Sequence, residues 1–404
     1  MTFFSTPTPE QQARIDAQSA ELAARRERTR LRGDDADRRT RMGSRLLTAG
    51  AAALVMLGFC PAPYVLRQPG PVFDGLGEIA LEPGAEPEEI IQISGAEVHE
   101  PESGSLDVLT VNVQGTPEYE PSWFEALLAW ATPERDVLPI EAYFADGETG
   151  EERDAATTQQ ITDSQDVARA AALRQLGYEV PSRLEVAAVA EDAPAAGALQ
   201  EGDVIVAVGG EPVADVLALR AAAEAAGLSP IALTIERDGV RQDVTVTPEL
   251  RTIDGEDRPA FGIGGAAAYD FPVDIEISLG EVGGPSAGMM LALGIMDKLT
   301  PGDMTGGRAI AGTGTIDDAG AVGPIGGIRQ KLYASIDAGA EAFLAPTGNC
   351  AEATDRGAPD DIPIYAIGTL DEAEAAVAAI AAGDASGLVT CEAVVAAGGG
   401  TTAG

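Results

Sequence analysis

The sequence predicts a multidomain chain with an N-terminal transmembrane helix, a small, partly open β-barrel and a C-terminal domain of α/β (α+β) class. Three observations predict it. Leu46 to Leu66 runs 21 residues without a charge, enough to cross a bilayer core. Between residues 178 and 250, short β-branched runs alternate with Gly, Pro and Asp-Gly turns around one helical stretch, the pattern of a small barrel. Beyond residue 259, strand-like and helical runs alternate with short loops. With 404 residues and 45% hydrophobic content, two or three domains can each hold a core.

Residues 1–45 are polar and charged, and predict a disordered cytoplasmic arm in which Gln11 to Leu31 is transiently helical. The arm carries a net charge of +3, within a chain whose formal net charge is −39. The body is therefore strongly acidic and repels nucleic-acid phosphates and anionic lipid. The acid excess by itself speaks only of solubility or a salty habitat. Residues 46–66 read as a signal anchor, with Pro61 and Pro63 at its outer end. Arginines cluster before it, and after Arg67 the next basic residue is Arg135. That asymmetry places the N-terminus in the cytoplasm and the body outside the cell membrane, in a single-pass arrangement. A cleaved signal peptide is the competing reading, because the apolar run before Pro61 is short; the long charged arm opposes it. Cys60 invites a lipoprotein reading, which bulky Phe59 opposes.

Residues 67–177 form an extracytoplasmic β/α region. Ala80 to Val98 and Gly104 to Val113 read as strands, Trp123 to Trp130 as a short helix, and Val137 to Phe144 as an extended piece. Thr157 to Leu176 is an amphipathic helix closed by Gly177. In the barrel unit, 178–250, Leu184 to Val189 is a strand, Ala193 to Gly197 a turn, Val204 to Val208 a strand and Val216 to Ala226 a helix. Ile231 to Arg237 and Val240 to Val246 make a hairpin around Asp238-Gly239. Residues 251–258 are a polar linker. In the last domain, 259–388, two strands within Pro259 to Ile277 precede helix Ser286 to Leu299, strand Ala309 to Gly314 and helix Gly327 to Ala338. Strand Ala342 to Ala345, a short helix from Asn349, strand Ile362 to Ile367 and helix Leu370 to Ala382 follow. Residues 389–404 are a flexible tail.

The chain is organised around Gly284-Pro285-Ser286-Ala287-Gly288, set between a strand-like run and an apolar helical run. A serine there sits at a helix mouth, where free backbone N–H groups can hold a developing oxyanion. The single histidine, His99, lies far upstream, and the chain has two lysines, Lys298 and Lys331. A Ser–Lys pair activates a hydroxyl without histidine. Gly326 and Gly327 let the backbone pass close to the serine loop, and Lys331 follows about one helical turn later. Such a lysine must be neutral to accept a proton, a state that burial makes accessible. The plainer alternative has Ser286 capping its helix and Lys331 on the surface. Lys298 suits a helix C-terminus.

Two resemblances follow from these motifs. Residues 184–247 resemble a PDZ domain through the strand at Leu184, the Ala-Pro-Ala-x-Gly-x-Leu turn ending at Leu199, and Gly202-Asp203-x-Ile205. The resemblance implies capture of extended peptide ends on an open strand edge, expected at Leu184, Val186 and Val189; a spacer without ligand is the alternative. Residues 259–382 resemble the proteolytic domain of the Lon family through three motifs in order: Gly284-Pro285-Ser286-Ala287-Gly288, Thr313-Gly314-Thr315-Ile316 and Gly323-Pro324-Ile325-Gly326-Gly327-Ile328-x-x-Lys331. It implies Ser286 as nucleophile, Lys331 as general base and Thr313 as a group orienting the lysine, with Gly284, Pro285, Gly326 and Gly327 shaping the loops. The order of anchor, PDZ-like unit and Lon-like unit is similar to the membrane-tethered, PDZ-containing Lon-like proteases of bacteria, and implies an ATP-independent serine endopeptidase.

The chain departs from the Lon pattern at Gly283 and Thr315, where the family carries acids; this puts charge-based substrate contacts near the pair in doubt. No Gly-x-x-x-x-Gly-Lys-Ser/Thr loop occurs, so no ATP partner is expected, and substrates should be unfolded or flexible polypeptides. No cofactor is expected, and one histidine with three scattered cysteines makes no metal site. Cys350 and Cys391 share the outer side in this topology and are candidates for a disulfide, although sequence separation does not set their distance. The resemblance also allows a ring-shaped homo-oligomer. The competing functional class is a non-enzymatic peptide-binding protein at the membrane surface that works through the PDZ-like unit. Quality control and dedicated processing remain undivided at this level.

Overall fold

In the computed structural model, the structure describes residues 8–81, 84–101, 103–190, 192–213, 216–253, 256–280, 282–359 and 361–398. Helix α1 (Pro9–Phe59) is continuous through the arm expected to be disordered. The run is rich in Ala, Arg, Gln and Glu, which carry high helix propensity, and the apolar segment extends it without a break. Residues 1–7 of that arm lie outside the described residues. Among the described residues, one stretch is long and apolar enough to cross a membrane, Met42–Phe59, with none of it buried against the protein. The expected anchor 46–66 therefore ends early. Ala62, Val65 and Leu66 belong to the globular core, and they are apolar for that reason, not to meet lipid.

Strands β1 (Tyr64–Asp74), β2 (Ile91–Ser94) and β3 (Ser105–Gln114) follow, then helix α2 (Trp123–Trp130), strand β4 (Asp136–Pro139) and helix α3 (Gly150–Gln175). Capping boxes start both helices: Ser122 with Glu125 for α2, Thr149 with Glu152 for α3. The barrel unit contains β5 (Ser182–Val189), β6 (Val204–Val208), α4 (Val216–Ala226), β7 (Ile231–Arg237) and β8 (Val240–Val246). A hairpin of β9 (Glu249–Ile253) and β10 (Glu256–Ala260) stands where the linker was expected; Asp254 and Gly255 lie outside the described residues. Strand β11 (Ile263–Tyr269) then pairs antiparallel with β5 along its length, from Ile263 opposite Val189 to Tyr269 opposite Ser182. The barrel sheet runs β8-β7-β6-β5-β11, so the unit extends to Tyr269 rather than ending at 250. Its core includes Leu184, Val186, Ile205, Leu233 and Ile235. Asp203, wholly buried, is held by Arg237 at 2.6 Å, and this partner keeps its carboxyl below the usual range against the cost of burial.

The final segment supplies β12 (Asp274–Ile277), α5 (Gly288–Leu299), β13 (Ala309–Gly312), the short pair β14 (Thr315–Ile316) and β15 (Val322–Gly323), α6 (Ile328–Asp337), β16 (Ala342–Pro346), α7 (Cys350–Ala353), β17 (Ile364–Ile367), α8 (Leu370–Ala381) and α9 (Cys391–Gly398). Its sheet has the order β17-β16-β13-β3-β1-β4, parallel from β17 to β3 and antiparallel from β3 to β4. Half of this sheet comes from residues 64–139, which the sequence reading set apart as a separate region. The barrel unit is thus inserted into a discontinuous domain. Helix α5 is buried along nearly its whole length, in a core shared with Leu106, Ile161, Leu173, Ile275 and Leu344. The expected flexible tail is ordered as far as Gly398: Cys391 is fully buried and bonded to Cys350, fixing α9 to α7. Residues 399–404 lie outside the described residues.

Candidate active site

Three loops converge at one end of α5. The first follows β12 and carries Gly284, Pro285 and Ser286 into a single 3-10 turn ahead of α5. Two bonds from α3 hold it: the Gly284 N–H donates to Thr157 O at 2.8 Å, and Ser164 Oγ–H donates to Pro285 O at 3.1 Å. Gly288 must be glycine for steric reasons, because a Cβ there would stand 2.9 Å from both Ile316 Cγ2 and Ser164 Oγ. At this helix mouth the N–H groups of Gly288 and Met289 are already bonded, to Pro285 O and Gly314 O.

The second loop leaves β13 through Thr313 and Gly314. Thr313, 1% exposed, donates its hydroxyl to Ser286 O at 2.9 Å, and the Gly314 N–H donates to the same carbonyl at 2.9 Å. The third loop carries Gly323 to Gly327 into α6. Gly327 has φ +72°, a left-handed conformation that favours glycine, and a Cβ there would lie 2.9 Å from Val111 Cγ2. Asn349 locks this loop, with its side chain accepting from Ile325 N and donating to Ile325 O, both at 2.8 Å. Asp136 ties α6 to β1 by pairing with Arg329 at 3.1 Å and Arg67 at 2.9 Å.

Lys331, 2% exposed, places Nζ 2.7 Å from Ser286 Oγ and 2.9 Å from Thr313 Oγ1. No carboxylate contacts Nζ among the described residues, and burial alone pulls its pKa down to about 7. Because the Thr313 hydroxyl is committed as a donor to Ser286 O, its oxygen can only accept from Nζ. Neutral lysine can give one N–H to Thr313 and still hold a lone pair able to accept the Ser286 proton. Ser286 itself is partly exposed and opens onto a cleft of about 640 Å³ lined by Arg67, Phe73, Val111, Arg153 and Val282, among others. Along the cleft, β3 has no partner strand on one side from Leu109 onward among the described residues, because β13 pairs with it only from Ser105 to Val108.

The structure brings together Ser286, Lys331, Thr313, Gly284, Pro285, Gly326 and Gly327, all singled out in the sequence. It does not support the expected peptide edge. Leu184 and Val186 are fully buried in the barrel core, and Val189 shares their strand, which is hydrogen-bonded to β6 on one side and β11 on the other. The edge strand beside α4 is β11, and between them lies a groove of about 570 Å³ lined by Val216, Leu219, Ala223, Phe261 and Ile263. A strand here was expected within Pro259 to Ile277, but Gly264, Gly265 and three alanines gave no sign that it joins the barrel sheet beside Ser182–Val189. Cys350 and Cys391 are bridged, with Cα atoms 4.7 Å apart. Lys298 is fully buried and paired with Glu89 at 2.7 Å, away from the dyad. His99 lies beside it, its backbone N–H donating to Lys298 O. Thr157, Ser164, Asp136 and Asn349 were not anticipated. Each acts across a long sequence separation that leaves no local signal.

The fold and this site define a serine peptidase by class. Residues 265–373 match the family model of the Lon protease (S16) C-terminal proteolytic domain, and residues 185–237 match that of the PDZ domain. The chain therefore carries a PDZ domain and a Lon-type proteolytic domain, and its wider catalytic fold includes strands upstream of both matches. A curated relative, Lon protease 1 of Sorangium cellulosum, is 36% identical over 105 residues, covering 25% of this chain and 13% of that protein's length. Two solved PDZ domains, from the SdrC-like proteins of Listeria innocua and Listeria monocytogenes, are also similar. They are 23% and 20% identical, each covers 20% of this chain, they are covered over 92% and 85% of their own lengths, and both have a TM-score of 0.19.

Proposed function

We propose that the chain is an ATP-independent serine endopeptidase working through a Ser286–Lys331 dyad on the outer side of a membrane. The observation that carries this reading is the buried Lys331 amine 2.7 Å from Ser286 Oγ, with its pKa lowered to about 7. Neutral Lys331 takes the Ser286 proton as Oγ attacks the scissile carbonyl, and the Ser286 and Ala287 amides hold the oxyanion. The ammonium returns that proton to the leaving amine. A water, deprotonated by the same lysine, then hydrolyses the acyl-enzyme and frees the acid.

The open stretch of β3 beside Ser286 accepts an added strand, which suits unfolded or flexible polypeptides and excludes intact folded ones. In the PDZ domain, the groove between β11 and α4 captures or gates such chains. Nucleotide takes no part in this scheme: of the two lysines, Lys298 is paired with Glu89 and Lys331 serves Ser286. The reading is tested with the full chain in detergent, incubated without ATP with an unfolded protein library beside Ser286→Ala and Lys331→Ala. Fragments made only by the intact dyad support it. Equal fragmentation by all three proteins overturns it.

A further inference from the structure

The short helix α2 is apolar on both faces. Ala126 and Ala129 are buried against Ala62 and Leu66, while Trp123 stacks edge-on against Tyr64 at 5.5 Å. On the opposite face, Phe124, Leu127 and Leu128 are each more than 40% exposed, Trp130 is 80% exposed, and Tyr119 just upstream is 83% exposed. Among residues 121–131 the one ionisable group is Glu125, and the cap consumes it by accepting from the Ser122 N–H and Oγ–H. An exposed face of this composition is out of place on a protein carrying a net charge of −39.

Its position names the occupant. The last turn of α1 runs directly into α2: the Trp123 N–H donates to Cys60 O at 3.0 Å, and the Ala62 N–H donates to Pro121 O at 2.8 Å. Phe59, at the end of the apolar segment Met42–Phe59, is 85% exposed. If that segment spans a bilayer, α2 begins at the level where hydrocarbon gives way to headgroups. Trp and Tyr concentrate at that depth, because their rings are apolar and their edges polar.

We infer that α2 is an interfacial helix whose Phe124, Leu127, Leu128 and Trp130 lie in the bilayer surface. It would fix the catalytic domain against the membrane by a second contact beyond the anchor. The contact needs no anionic lipid, which the acidic body repels; zwitterionic lipid suffices. The inference rests on the membrane placement proposed above. Trp123 and Trp130 are the two tryptophans of the chain, so each can be read alone. The full chain is reconstituted in phosphatidylcholine vesicles with and without brominated acyl chains, as Trp123→Phe to report Trp130 and as Trp130→Phe to report Trp123. Vesicle flotation is scored in parallel.

The expected result is flotation of both variants, with Trp130 emission shifted to the blue and quenched by the brominated lipid and Trp123 emission unchanged by it. Flotation with Trp130 unquenched by lipid but accessible to aqueous acrylamide overturns the inference while leaving the anchor standing. Flotation with Trp130 shielded from both quenchers also overturns it, assigning the face to a protein partner. Failure to float removes the membrane placement itself.

Discussion

The rate of cleavage should follow the protonation of one buried amine. With the Lys331 pKa near 7, its neutral fraction is about 1% at pH 5, about half at pH 7 and about 99% at pH 9. Values of kcat/KM on a fluorogenic peptide should therefore rise roughly tenfold per pH unit below 7 and level off above it. The same burial sets a sign for stability. The folded pKa lies below the unfolded value of 10.5, so between about 7 and 10.5 the unfolded chain binds the extra proton and stability rises with pH. Fully expressed at pH 7 and below, the shift corresponds to about 5 kcal/mol. Lys331→Met removes the titrating group. It should be more stable than the parent at pH 7, by an amount below that bound because two hydrogen bonds are lost with the amine, and the gap should close towards pH 10. Urea unfolding at the two pH values measures this. A kcat/KM limb near 10, or a parent-to-Met stability gap that does not change with pH, would falsify the buried neutral-lysine account.

Three further outcomes are expected. Thr313→Val removes the acceptor that turns an N–H of Lys331 away from Ser286, and kcat should fall about 10- to 100-fold while KM changes little, read from steady-state kinetics. Gly327→Ala forces a left-handed alanine against Val111, costing roughly 1–3 kcal/mol and displacing α6; denaturant melts should show the loss together with reduced activity. Replacing Cys350 and Cys391 together by Ala should lower stability by about 2–4 kcal/mol. Activity should fall as well, because Asn349, which clamps Ile325 in the lysine loop, is the neighbour of Cys350.

The contact between Ser286 and Lys331 was legible because its parts sit in short motifs with distinctive chemistry: a serine at a helix mouth, and a rare lysine behind two glycines. The barrel was legible through its turns. Domain boundaries were not. Residues 105–108 pair with 309–312 across the whole inserted unit, and no periodicity within either strand reports a partner so distant. Leu184 and Val186, expected at an open edge, are buried for a related reason. Leu184 and Val186 have the composition of a strand buried on both faces, but composition does not tell a central strand from an edge one. The end of the expected anchor was misjudged because one apolar run covers two settings, an exposed helix up to Phe59 and the protein core from Ala62.

The insertion sets an order of assembly. Ser182 and Tyr269 face each other across β5 and β11, so the PDZ domain begins and ends at one point. Folded first, it acts as a clamp that shortens the loop closed when β13 reaches β3. Halving a loop of this kind saves only about 0.6 kcal/mol, a small gain in final stability. The larger effect is on timing. During synthesis, Ser286 emerges before Thr313 and Lys331, and the catalytic sheet cannot close on its β13 strand until the chain beyond the insert is available. Under the proposed mechanism, a nascent chain of this design carries its nucleophile for some time without the base that would arm it.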